Sequence, residues 1–322
     1  MDKRPIGNSG IEVAPVALGG NVFDWTADEA TSFAVLDAFV DAGGTMIDTA
    51  DVYSAWVAGH QGGESEALIG RWLKRDPAKR DKVVIATKVG FLDGEIVDGE
   101  YVAALDPKVV AAACDKSLDR LGIDTIDLYY QHRDNEKVLL ADSFGAFDAL
   151  KQAGKIRAVG ISNFTAPRVN EAISACASHG LAQPVALQPW YNMLERDKFE
   201  GELASAALAH RLSVFSFYSL ANGFLAGKYR SKDDLSKSVR GARSAEYVES
   251  DKGVRVLAAL EEVAAETGAA MASVALAWTK AQPGITAPIA SATNLVQAGE
   301  LIAALTLDLA AGQLEQLNKA SA

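Results

Sequence analysis

The stretch VALGGNVF, residues 16–23, decides the fold. It opens as an apolar run that reads as a β-strand and reaches Gly19-Gly20. Asn21, Val22 and Phe23 follow. A doubly wound dinucleotide-binding sheet requires a glycine-rich turn directly after its first strand, so that a helix N-terminus can meet a pyrophosphate. That fingerprint is absent here. Short apolar runs of the same kind recur along the chain: TMID (45–48), KVVIATK (82–88), TIDLYYQ (125–131), IRAVGIS (156–162), PVALQ (184–188), LSVFSFY (212–218) and GITAPI (284–289). With the first, they make eight. Near-continuous apolarity fits parallel strands buried on both faces.

Helical stretches lie between these runs. Thr26 or Asp28 is a plausible N-cap for the first. Asp106-Pro107 combines a capping aspartate with a proline suited to the first helical position, and the helix it opens stops at Gly122. The segments 144–153 and 166–179 end similarly, at Gly154 and Gly180. Eight strands alternating with helices predict an α/β fold, a (β/α)8 TIM barrel, as one domain over residues 1–322. RPIGNSGIEVAP (4–15) turns at Asn8-Ser9-Gly10 between two extended pieces. It predicts an N-terminal β-hairpin closing the barrel bottom. Residues 221–251, rich in glycine and charge, read as a long loop over the opposite mouth.

Composition excludes several function classes. The net charge is −11, which disfavours a nucleic-acid partner. Any anionic cofactor must be held by local groups. The two cysteines, Cys114 and Cys176, and the four histidines have no metal-site spacing, and no disulfide framework is implied. Both cysteines read as helix-face packing residues, as do Trp72 and Trp278. MDKRPIGNSG has no apolar core of the signal-peptide kind, and no run reaches membrane-spanning length. A cytoplasmic protein is expected. Oligomeric state has no signature in the sequence.

In such barrels the reactive groups sit at the C-terminal ends of strands. Asp48 ends the second strand and Tyr53 follows in its loop. Lys88 ends the third, and His132 follows the fourth. This is a coherent set for carbonyl reduction. A reduced carbonyl needs a proton on oxygen, and a tyrosine hydroxyl can supply it. Lys88 would stabilise the phenolate and lower the hydroxyl's pKa, and Asp48 would keep Lys88 charged. His132 would hydrogen-bond the carbonyl oxygen. Trp25, Trp56 and Trp190 lie in or near mouth loops, as substrate-pocket candidates or as ordinary loop packing. Glu64 and Glu66 read as a helix-start pair. The basic residues from Lys228 to Arg243 are mixed with acids, which reads as a solvated loop beyond Lys228.

The chain resembles the aldo-keto reductases, a bacterial-type member related to the branch of the potassium-channel β subunits. The resemblance rests on GGTMIDTADVYS (43–54), GESEALIGRWL (63–73), VIATKVG (84–90), IDLYYQH (126–132), GKIRAVGISNF (154–164), LQPWYN (187–192) and YSLANGFLAGKY (218–229), in family order. It covers nearly the whole chain and implies the same barrel. The family's catalytic tetrad maps onto Asp48, Tyr53, Lys88 and His132 without substitution. The resemblance implies that Ser162, Asn163 and Gln188 hold a nicotinamide carboxamide. Tyr218 would stack on the ring, and Gly20, Asn21 and Asp48 would line its other side. Ser219, Leu220, Ala221 and Gly223, with Lys228, would clasp the pyrophosphate.

One departure concerns the adenosine end. Many family members grip the 2′-phosphate with a lysine and an arginine near the last strand. The matching stretch here, residues 285–301, has no basic residue; Ser291, Thr293, Gln297 and Glu300 occupy it. NADPH is the expected cofactor, with NADH as the alternative, because discrimination without a bidentate arginine should be weaker. The expected activity is NAD(P)H-dependent reduction of small aldehydes or ketones. Two other readings share the residues: a non-catalytic NADPH sensor or regulatory subunit, and a Schiff-base aldolase using Lys88.

Overall fold

The computed structural model describes residues 2–97 and 100–322. Eight parallel strands close into a barrel: β1 (Ala17–Gly19), β2 (Met46–Asp48), β3 (Val84–Val89), β4 (Ile126–Gln131), β5 (Ile156–Ser162), β6 (Ala186–Gln188), β7 (Ser213–Ser216) and β8 (Ile285–Ala290). They follow one another around the ring in chain order, and β8 pairs back onto β1. Each coincides with an apolar run read from the sequence. The runs are nearly continuous in apolar residues because both strand faces are covered. One face meets the interior, filled by residues such as Ala17, Met46, Ala86, Leu128, Tyr130 and Phe215. The other meets the ring of helices in a larger apolar layer.

The N-terminal hairpin pairs Arg4–Pro5 with Glu12–Val13 antiparallel. Its Ile6, Ile11 and Val13 join the barrel-interior cluster and plug the bottom. Arg4 fastens it there, donating to the carbonyls of Lys280 (3.0 Å), Ile285 (3.0 Å) and Thr286 (2.9 Å) around the start of β8. The Ser213 hydroxyl, at the start of β7, accepts from the Gly7 N–H and donates to the Pro5 carbonyl. With the bottom closed, chemistry is confined to the opposite mouth.

Local signals set the helix ends. Asp28, rather than Thr26, caps the helix Glu29–Asp41 by accepting from the Thr31 N–H. Asp106 caps Pro107–Leu121, which ends at the left-handed Gly122. Ala166–His179 ends at Gly180 in the same way. The helix Leu140–Gln152 begins one turn before its expected start at residue 144, with Leu140 packed against the core from that first turn. Trp72 and Trp278 are fully buried, and each indole N–H finds a partner, Asp37 and Asn318 respectively. Cys114 and Cys176 are buried free thiols. Among the described residues no single helix is long and apolar enough to cross a membrane.

Two mouth segments differ from expectation. Residues 221–251 are not an open loop but a chain of short helical turns: Ala221–Gly223, Lys232–Lys237, Gly241–Ser244 and Ala245–Val248. Asp234 organises the second, accepting from the Arg230 and Ser231 N–H groups. Such local caps carry no periodic signal over so short a span. A second antiparallel pair, Glu95–Val97 with Glu100–Val102, lies between β3 and its helix and had no sequence-based prediction.

Helix Glu64–Arg75 crosses helix Pro107–Leu121 at Gly70, where an added Cβ would lie 2.2 Å from the Arg120 carbonyl oxygen. In an open helix Gly→Ala stabilises by about 1 kcal/mol. Here the methyl meets backbone, so Gly70→Ala should instead destabilise by about 1–3 kcal/mol. The shift in urea midpoint measures it; a midpoint that rises contradicts this packing.

Candidate active site

The mouth chemistry begins with strand register. Asp48 closes β2 and pairs opposite Ala86 of β3. Two residues on, Lys88 points to the same side of the strand, as period-2 geometry requires. Its ammonium has three N–H bonds and three acceptors: Asp48 Oδ2 at 2.6 Å, the Thr49 carbonyl at 2.8 Å and the Tyr53 hydroxyl oxygen at 3.1 Å. Lys88 is 0 % exposed and the Asp48 side chain 2 %. The second Asp48 oxygen accepts from Gln188 Nε2 at 2.9 Å. Burial alone would discharge the lysine, but attraction from Asp48 and Tyr53 outweighs it and the pKa of Lys88 is raised.

Tyr53 is delivered by a turn braced on β3. The N–H groups of Thr49 and Asp51 donate to the carbonyls of Ala86 and Lys88, and the Tyr53 N–H donates to Ala50. The Tyr53 pKa corrects one expectation. Lys88 does pull it down, but desolvation dominates, Asp48 adds repulsion, and the net shift is upward. At neutral pH the hydroxyl keeps its proton.

The ring of His132 lies edge-on to Tyr53, with centroids 6.1 Å apart, and packs against Phe91 at 4.5 Å. Burial first, and then the Lys88 charge, hold its pKa well below the usual histidine value, so the imidazole is neutral. Its Nδ1 is buried without a hydrogen-bond partner. Buried polar atoms are rarely left so.

The amide set gathers at the adjoining strand ends. Ser162 Oγ donates to the Gln188 carbonyl at 2.9 Å, and Asn163, in left-handed conformation, donates from Nδ2 to the His132 carbonyl at 2.9 Å. Beside Asp48 and Tyr53 runs a groove of about 480 Å³. Asn21, Tyr218, Ser219, Leu220, Gly223 and Lys228 line it, and so do Ser291, Gln297 and Glu300. Gly20 and Ala221 are not in its lining. Gly20 is packed under it, its N–H on the Asp48 carbonyl at 2.7 Å, and Ala221 is buried. Ser291 Oγ donates to Asn21 Oδ1 at 2.7 Å and so joins the first and last strand ends across the groove. Thr293 is held back from it by donating to the Gln297 side chain.

The tryptophans divide. Trp25 and Trp56 meet edge to face at 5.4 Å, and Trp56 lies 6.1 Å from the Tyr53 ring, so the three rings form one aromatic cluster. Trp190 instead packs on Tyr218 at 4.6 Å, on the groove side. Glu66 is not a solvent-facing helix-start residue: it is buried, bound to Arg120 at 2.6 Å, and accepts from the Thr87 hydroxyl. Glu64 does open the helix, accepting from the Gln61 and Gly62 N–H groups of the turn before it.

Sequence reading missed Arg240. It lines the groove with Tyr229 and Ser238, and makes no ion pair or hydrogen bond through its side chain among the described residues. Its guanidinium lies over the Trp25 ring at 5.8 Å. Burial lowers its pKa, which marks a cation without a counter-charge. Lys228, on the same groove, likewise has no acidic partner, only the Tyr229 ring at 5.5 Å. The charge run 228–243 mixes basic and acidic residues, and Arg230, Lys232 and Lys237 are paired with acids, so no pattern in it singles out residue 240.

Residues 15–322 match the family model described as the aldo/keto reductase family. The chain belongs to that family of oxidoreductases, which act on small carbonyl compounds. It is similar to "Uncharacterized oxidoreductase YrpG" of Bacillus subtilis, 31 % identical over 320 residues, covering 99 % of this chain and 95 % of that one. It is also similar to "Aldo-keto reductase yakc [NADP(+)]" of Schizosaccharomyces pombe, 28 % identical over 98 % of this chain and 90 % of that one. A third relative, "Aldo-keto reductase str7" of Strobilurus tenacellus, is 34 % identical over 78 % of this chain and 69 % of its own.

Lys88→Met leaves Asp48 as a buried unpaired charge, which should destabilise the fold by about 3–5 kcal/mol. Lys88→Met combined with Asp48→Asn should lose clearly less. Equal losses in guanidinium melts would show that the pair is not energetically coupled.

Proposed function

We propose that this protein is an NADPH-dependent carbonyl reductase in which Tyr53 protonates the substrate oxygen. The observation that carries the reading is the Tyr53 hydroxyl, 3.1 Å from a buried ammonium that Asp48 keeps charged. The raised pKa of Tyr53 holds the proton until negative charge develops on the carbonyl oxygen, and Lys88 then stabilises the phenolate left behind. His132, neutral and edge-on to the Tyr53 ring, hydrogen-bonds the same oxygen and orients it toward Tyr53. The alcohol forms by addition of a hydride to carbon and this proton to oxygen.

A nicotinamide dinucleotide fits the residues present. On an acidic chain, Lys228 and Arg240 line one groove as two cations with no acidic partner among the described residues, which suits phosphate groups. Ser162, Asn163 and Gln188 offer donors and acceptors for a carboxamide at the mouth end, Tyr218 a stacking face, and Ser219, Leu220 and Gly223 a backbone cradle. Gly20, Asn21, Ala221, Ser291, Gln297 and Glu300 complete the surroundings. When bound, the cofactor supplies the hydride. The relative named for NADP(+), together with Arg240, supports NADPH over NADH. Arg240 would take the part of the basic residues missing from the last strand's loop. Trp25 and Trp56 would wall the substrate site, with Trp190 backing the cofactor side.

The Lys88 aldolase is disfavoured, because Schiff-base formation needs a neutral amine and Asp48 keeps this one charged. A regulatory NADPH sensor would use the same site and differ only in turnover.

Tyr53→Phe should bind NADPH within about twofold of wild type yet lose at least about a hundredfold in aldehyde reduction. Wild-type turnover in that variant removes Tyr53 from its role. Arg240→Ala should weaken NADPH binding about tenfold or more, roughly 1.4 kcal/mol, and NADH binding less. Fluorescence titration with both nucleotides measures this, and an unchanged NADPH affinity sinks the assignment.

A further inference from the structure

Behind the turn that presents Tyr53 sits a buried acid that the proposed chemistry does not use. Asp51 is 2 % exposed, and neither of its carboxyl oxygens has a hydrogen-bond partner. An ionised carboxylate in such a place is strongly disfavoured. The charges facing it do not help. Glu66, from helix Glu64–Arg75, is buried and negative. Arg120, from helix Pro107–Leu121, is already bound to Glu66 at 2.6 Å. Asp93, following β3, adds a further negative charge. The Tyr129 hydroxyl of β4, buried in the same layer, also lacks a partner. Desolvation and then Glu66 push the Asp51 carboxyl up to about 8; Arg120 and then the neighbouring Val52 N–H pull the other way.

The backbone ties this acid to the predicted proton donor. The Asp51 N–H donates to the Lys88 carbonyl at 3.2 Å, and the Thr49 carbonyl accepts from Lys88 Nζ at 2.8 Å. The Tyr53 N–H closes the turn on Ala50 at 3.2 Å. Gly62 packs so closely on the other side that an added Cβ would lie 2.9 Å from the Asp51 carbonyl oxygen. A displacement at Asp51 therefore passes directly to Tyr53.

We propose that Asp51 is a positioning residue that seats the Tyr53 turn through its own proton: neutral, it lets the turn lie against Lys88; ionised beside Glu66, it lifts the turn, withdraws Tyr53 and sets the alkaline limit of turnover. This rests on the reductase reading above. The other candidates for that limit lie outside the window. Tyr53 and Lys88 are shifted upward, and His132 downward, from their ordinary values. None of the three changes charge between pH 7 and 9. Linkage gives the sign for stability. The folded chain binds the Asp51 proton more tightly than the unfolded chain, whose aspartate titrates near 4. The contribution is therefore fully present below pH ~4 and is lost progressively as pH rises toward the folded value near 8.

The test is the pH profile of kcat/KM for aldehyde reduction, each protein normalised to its own rate at pH 7. Wild type should fall about tenfold between pH 7 and 9. Asp51→Asn, locked in the neutral form, should stay within about twofold, and its melting temperature should gain more at pH 8.5 than at pH 5. A profile superimposable on wild type overturns the proposal. Should the variant not fold, or the wild type not turn over, the substrate-free wild-type protein decides. Its infrared spectrum should lose a protonated-carboxyl band between pH 7 and 9, with a parallel change in tryptophan emission as the turn carrying Tyr53 and Trp56 moves. Absence of the band at pH 7, or its loss with emission unchanged, overturns the seat whether or not the protein is a reductase.

Discussion

The rest of the site depends on one ion pair kept out of water. Removing a lysine and an aspartate from solvent costs several kcal/mol each, and only complete hydrogen bonding offsets it. Lys88 meets that demand with three acceptors for three donors, and Asp48 by accepting from Lys88 on one oxygen and Gln188 on the other. The partners come from β2, β3, β6 and the turn after β2, so the barrel must be closed before the pair is satisfied. The ion pair thus links fold to chemistry. The same ammonium that Asp48 neutralises has one N–H left to point at Tyr53.

Electrostatics elsewhere is equally local. With a net charge of −11 the chain offers no broad attraction to an anion. What it offers is a groove with two cations, Lys228 and Arg240, that have no acidic partner among the described residues, on a segment of short helical turns. Stacking over Trp25 places Arg240 where the segment after β7 meets the loop after β1. A cation held there without an acid is costly on its own terms, which is the physical argument for an anionic ligand.

The barrel was legible because its strands are buried on both faces and so appear as near-continuous apolar runs such as VIATKV and IDLYYQ. Helix ends at Asp106, Gly122 and Gly180 were legible for a similar reason: a cap needs a particular side chain or a positive φ. Asp48, Tyr53, Lys88 and His132 could be brought together because strand ends in a barrel converge whatever the loops do. Where loops decide, the sequence was less informative. Arg240 lies in a charge run in which its neighbours are ordinarily solvated and paired, such as Lys237 with Asp234. Glu66 looked like a helix-start acid, and only tertiary packing shows it bound to Arg120. The direction of the Tyr53 shift is not legible in the sequence, because proximity to Lys88 is visible in a motif, whereas the depth of burial is not. Asp51 was passed over for that same reason.

The central claim is that this site reduces carbonyls with a dinucleotide and Tyr53, and one assay tests it most directly. The purified protein is mixed with NADPH and 4-nitrobenzaldehyde, and the nicotinamide absorbance is followed beside the Tyr53→Phe variant at equal cofactor occupancy. The account predicts steady oxidation by wild type and almost none by the variant. Tight cofactor binding by both proteins with no oxidation by either, across a panel of aldehydes, would contradict it and favour a sensor.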